Sequence, residues 1–158
     1  MSFDPSAGTA PPPVNISAPP AHESGVEDWI DWANSMPSLG AVGLTCTAMT
    51  GSTVEFVLDP ETFPRNINGA INGGLVACAA DQAMGVAAVR GSRSHAYAFT
   101  VSLTTHFHRP AMPPLVVRAR LIPGGKRIAF VDVEMEGTDG ARCASAQGAL
   151  RLSGGGTS

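Results

Sequence analysis

The chain has 158 residues, enough for one domain with a buried core, and a formal net charge of -3, which argues against nucleic acid or an anionic membrane surface as partner. Charged residues make up 15% against 44% apolar. The charged share is well below the ~25% of ordinary soluble domains, so part of the surface is expected to be covered by a second copy. Three cysteines, Cys46, Cys78 and Cys143, are odd in number and far apart and show no disulfide framework, which favours a reducing, cytoplasmic setting.

In chain order, residues 1–23 are rich in Pro, Ala and Ser and read as a mobile segment with neither the basic nor the apolar region of a secretory signal. A single domain is expected over residues 24–152, and residues 153–158 read as a flexible tail. "SGVEDWIDWANSM" predicts a short amphipathic helix with Ser24 as N-cap and Trp29, Trp32 and Met36 on the face toward the core. "AVGLTCTAM" and "STVEFVLD" read as two strands joined by a tight turn. A proline-containing loop then leads to "RNINGAINGG", an amide-rich elbow ahead of an alanine-rich helix running to about Val89. Period-two alternation follows in "AYAFTVSLTTHFHRP", "PLVVRARLI", "KRIAFVDVEME" and "RCASAQGALRL", giving four more strands. No run is long and apolar enough to span a bilayer. The order implies an α+β fold in which an antiparallel sheet of about six strands wraps one long helix, whose small side chains let the sheet approach.

Two features of the elbow and helix carry chemistry. Asn72 is placed to cap the helix, so that Gly73 and Gly74 present free N–H groups at the positive end of its dipole. Without Cβ atoms they admit a ligand oxygen, either a carbonyl developing charge or a phosphate. Asp81 lies within the wrapped helix with no basic neighbour in sequence, and a carboxylate there calls for a role. Eight residues separate Gly73 from Asp81, roughly 12 Å along a helix that rises about 1.5 Å per residue. One site can therefore use both only if Asp81 comes from a second chain whose helix runs antiparallel, and a two-fold dimer is the simplest assembly.

"NINGAINGG" followed by "LVACAAD", with "FTVSLTTHFHRPA", "GGKRIAFVDVEM" and "GARCASAQGAL" downstream, resembles hotdog-fold acyl-CoA thioesterases of the phenylacetic-acid-degradation type, over roughly residues 36–152. The family pattern falls on Asn66, Gly69, Asn72, Gly73, Gly74 and Asp81, with Asn72 standing where the family has His. The resemblance implies a thioesterase in which the Gly73 N–H, helped by the Asn66 amide, polarises the thioester carbonyl. It implies Asp81 of the partner subunit as general base for water or as nucleophile forming an anhydride, and Thr100 as the residue that orients the water. Asn72 cannot carry charge or exchange a proton near neutrality, so it is expected to support the turn.

Asn72, Gly74, Arg90 and Arg109 are the expected substrate contacts, the two arginines as partners for coenzyme A phosphates, with other bases such as Arg93 and His95 nearby. No cofactor is expected; coenzyme A enters as part of the substrate. The expected partners are acyl-CoA and a second copy of the chain, as homodimer or homotetramer, with neither nucleic acid nor membrane. His106 and His108 share a strand face without a third metal ligand and read as surface residues, and Cys78 as inert packing. No G-x-S-x-G or phosphate-loop motif is present. The alternative is a non-catalytic acyl-CoA or small-ligand binding protein on the same fold.

Overall fold

The computed structural model describes residues 17–61, 65–92 and 97–154. Arg93 and His95 lie outside them, as do residues 1–16 of the N-terminal segment and 155–158 of the tail. The elements run α1 (Val26–Asn34), α2 (Pro37–Val42), β1 (Leu44–Met49), β2 (Thr53–Leu58), α3 (Gly73–Gly91), β3 (Tyr97–Phe107), β4 (Leu115–Ile122), β5 (Ile128–Glu136) and β6 (Arg142–Ser153). The six strands form one sheet in the order β1-β2-β4-β5-β6-β3, antiparallel throughout. No helix among the described residues is long and apolar enough to cross a membrane.

Alternation decides which face of the sheet is buried. Val54, Phe56 and Leu58 of β2, Leu115 and Val117 of β4, and Val131, Val133 and Met135 of β5 all point inward onto α3. The outward residues carry cross-strand ion pairs, with Arg118 held between Glu55 (2.8 Å) and Glu136 (2.6 Å) and Arg120 beside Asp132 (3.2 Å). Pairs that stay in contact with solvent in this way add little stability.

Helix α3 has no polar stripe, because its apolar residues lie all round it and most are buried, including Leu75, Val76, Ala79, Ala80, Ala83, Met84 and Val86. Its alanines make close approach possible, and Gly148 on β6 takes this furthest. A Cβ there would lie 2.5 Å from the Met84 sulfur and 3.0 Å from the Ser102 carbonyl oxygen.

Two details of the N-terminal part differ from the sequence expectation. Gly25, not Ser24, is the N-cap of α1, and no side chain caps it. Residues 37–42 form a second helix where the strand had been expected to begin. Pro37 starts it, with its fixed φ and missing N–H, and Gly43 ends it at φ 72°, a left-handed conformation that breaks the pattern before β1. Trp29 and Trp32 are buried as expected, with ring centroids 5.5 Å apart and edge to face. The Asn34 amide both donates to and accepts from the Cys46 backbone, at 3.0 and 2.8 Å, which ties α1 to the β1 edge of the sheet.

The opposite edge is different. β3 pairs only with β6 and carries Tyr97, Phe99, Val101 and Phe107, each more than half exposed. A bulge at Val101 breaks its alternation, so that Thr100 and Phe107 both turn to the helix side.

Candidate active site

The elbow is built from side-chain amides that replace missing secondary structure. Asn66 Oδ1 accepts from the Asn68 and Ala70 N–H groups (2.9 and 3.1 Å), and Gly69 supplies the positive φ of 75° that closes this turn. The Ile71 N–H donates to the Ala111 carbonyl at 2.8 Å, anchoring the elbow to the chain beyond β3. Asn72 caps α3 as expected, its Oδ1 accepting from the Gly74 N–H at 2.8 Å. That bond also corrects an expectation, since it occupies the Gly74 N–H and leaves Gly73 as the donor without a partner among the described residues. A Cβ at Gly73 would come 3.3 Å from the Phe107 ring, so the glycine also lets α3 start tight against β3.

Asp81 sits two turns further along α3, half-buried, with its Oδ1 accepting from the Thr100 hydroxyl at 2.7 Å. Thr100 reaches it because the bulge turns that residue toward the helix. The pair opens onto a cavity of about 270 Å³. One chain therefore brings together Asp81 with Thr100, and separately sets Asn72 at the start of α3 beside Gly73, with Asn66 in the turn that precedes them. The first group lies near the start of β3; the second lies beside Phe107 at its end.

Burial, first, and the nearby Asp81 charge, second, push the Cys78 thiol up from its ordinary value. It is therefore a poor thiolate at neutral pH, in line with packing. Burial pushes Cys46 up to about 11. Neither arginine expected at the substrate is free. Arg90 is only 9% exposed and lies over the ring of Trp29 on α1 at 4.9 Å. Arg109 is paired with Asp139 at 3.0 Å. His108 is bonded to Ser145 at 2.8 Å and His106 is exposed. Sequence reasoning missed the cavity wall, which includes Trp32, Met36, Val86 and Leu150. The one legible signal was Gly85, a full turn past Asp81 on the same helix face.

Residues 68–144 match the family model of the thioesterase superfamily. No curated protein matches the sequence. Among solved structures, a thioesterase from Haemophilus influenzae aligns with a TM-score of 0.71 at 16% identity, over 83% of this chain and 92% of its own. The PaaI protein of the phenylacetic acid degradation operon of E. coli aligns at 0.69 and 20%, over 77% and 87%. A Streptococcus mutans protein bound to acetyl CoA aligns at 0.64 and 17%, over 70% and 89%. The wrapped sheet thus has the hotdog fold of these neighbours, and residues 68–144 are the part of the chain that resembles the thioesterase superfamily. The elbow, helix and carboxylate described above are the segments on which the sequence resembles thioesterases of the phenylacetic-acid-degradation type.

Proposed function

We propose that the protein hydrolyses an acyl-CoA thioester to the free acid and coenzyme A, at a site shared by two copies of the chain. The Gly73 N–H at the helix dipole's positive end polarises the carbonyl, and the Asn66 amide, whose oxygen is already committed to its turn, donates a second bond. Asp81 of the partner subunit takes the proton from water. Thr100, which donates its own proton to Asp81 Oδ1, keeps lone pairs with which to hold that water. Water attacks the carbonyl carbon, the C–S bond breaks, and coenzyme A leaves as the thiol. Asp81 acting as nucleophile, through an anhydride that water then opens, is the competing course.

The observation that carries this reading is the Thr100–Asp81 hydrogen bond at the mouth of an apolar cavity. The acetyl CoA held by the Streptococcus mutans neighbour supports a coenzyme A thioester as ligand. With Arg90 buried and Arg109 paired, the exposed bases Lys126, Arg127 and Arg151 are the better candidates for its phosphates. They line one hollow at the end of the sheet and have no ion pair among the described residues. Asn72 acts as a cap, a task Asn performs as well as His, so its presence does not weaken the catalytic reading.

The test is thiol release from a panel of aliphatic and aromatic acyl-CoAs. Wild-type protein should release thiol, and Asp81→Ala should lose nearly all of it while keeping its assembly. Binding without release across the panel would favour the non-catalytic alternative, and full activity in Asp81→Ala would remove the assigned role.

A further inference from the structure

Outside the catalytic groups, the most informative feature is the cavity behind Asp81. Its floor is one face of α3, on which Asp81, Gly85 and Val89 recur every fourth residue. Trp32 and Met36 wall it from the N-terminal helices, and Leu150 walls it from β6. The Trp32 indole is held in place by donating to the Ser17 carbonyl at 3.0 Å, and Ser17 itself lines the cavity. Asp81 is the only charged residue among the described lining residues, so the space behind it suits an uncharged apolar group.

At about 270 Å³ the volume far exceeds what an acetyl group fills, since a cavity of about 150 Å³ already takes benzene. From Asp81 the floor runs roughly 6 Å to Gly85 and roughly 12 Å to Val89, at about 1.5 Å per residue. A Cβ built at Gly85 meets nothing within 4 Å, so this glycine is not needed for packing against the rest of the chain. Its missing side chain instead leaves the floor open midway along the cavity.

We propose that this cavity is the acyl pocket, that it takes apolar acyl groups long enough to pass Gly85, of medium chain or aryl-ended, and that Gly85 sets the length accepted. The proposal rests on the thioester reading for the identity of the ligand, but its test does not depend on turnover.

Non-hydrolysable S-alkyl coenzyme A thioethers, from butyl to tetradecyl, would be titrated into the full-length protein by calorimetry and by tryptophan fluorescence. Wild-type affinity should rise about fourfold per methylene, equivalent to about 0.8 kcal/mol, until the pocket is full. In Gly85→Ala and Gly85→Leu the rise should stop at shorter chains, soonest for Leu. Gly85→Ala, the smaller change, serves as the folding-safe member of the pair. Affinity independent of chain length in the wild type, or the same length limit in all three proteins, would overturn the proposal. Chain-length-dependent binding with no thiol release would instead sink the hydrolase reading and leave the pocket standing. Thiol release without a Gly85 effect would do the reverse.

Discussion

The 2.7 Å bond from Thr100 to Asp81 fixes one carboxylate oxygen and leaves the other without a hydrogen-bond partner among the described residues. A hydrogen bond to a charged group contributes roughly 1.5–3 kcal/mol, about 10–100-fold in rate if it is needed in the transition state. Thr100→Val keeps the shape and removes the hydroxyl, so kcat should fall by about that factor with little change in KM. Thr100→Ser should restore most of the rate. Steady-state kinetics of the two variants decide it, and a Val variant at wild-type rate would show that Thr100 only packs. Both residues were legible in the sequence, Asp81 as an acid without a basic neighbour and Thr100 through the family resemblance. Their contact was not, because it depends on a bulge at Val101 that alternation does not foretell.

Between elements, the interface that matters most is that of α3 with the sheet. Met84 fills the space that a side chain at Gly148 would need, and such a side chain would be driven into the Met84 sulfur and the Ser102 carbonyl. Gly148→Val should therefore cost about 1–3 kcal/mol, seen as a lower urea midpoint with an unchanged slope. A midpoint equal to wild type would show that α3 can retreat from β6 without penalty. Element type was readable wherever the hydrophobic period ran long, as in α3 and in β4 to β6. It failed at α2, where the apolar content is the same in a short helix and a strand. The deciding residues there were Pro37 as a starter and Gly43 as a left-handed stop.

For the whole molecule, the open β3 edge and its exposed aromatic residues are the natural place for a second copy. Phe107 marks the Gly73 end and Thr100 the Asp81 end, opposite Ala144 and Leu150 of β6, with Thr104 midway opposite Gln147. If β3 pairs antiparallel with its own copy so that Thr100 faces the partner's Phe107, the two-fold axis passes through Thr104. Each Asp81 then approaches the partner's Gly73, and the roughly 12 Å gap within one helix is closed between two. Directly opposed residues lie about 4.5–5.5 Å apart, within disulfide reach. Thr104→Cys should thus form disulfide-linked dimers under mild oxidant, resolved on a non-reducing gel. A control at the outward Phe130, Phe130→Cys, should not. A Thr104→Cys protein that stays monomeric under oxidant would refute this pairing.

The sequence by itself determined the α+β class, the cap at Asn72, the free amide of Gly73 and the acid at Asp81, because each rests on local periodicity or on the chemistry of one side chain. Only the tertiary structure decided that Thr100 holds Asp81, that Arg90 is buried over Trp29, and that α1, α3, β3 and β6 line one cavity. Those facts depend on which surfaces meet after the sheet has wrapped the helix. Contacts between residues distant in the chain are set by packing, which no local pattern records.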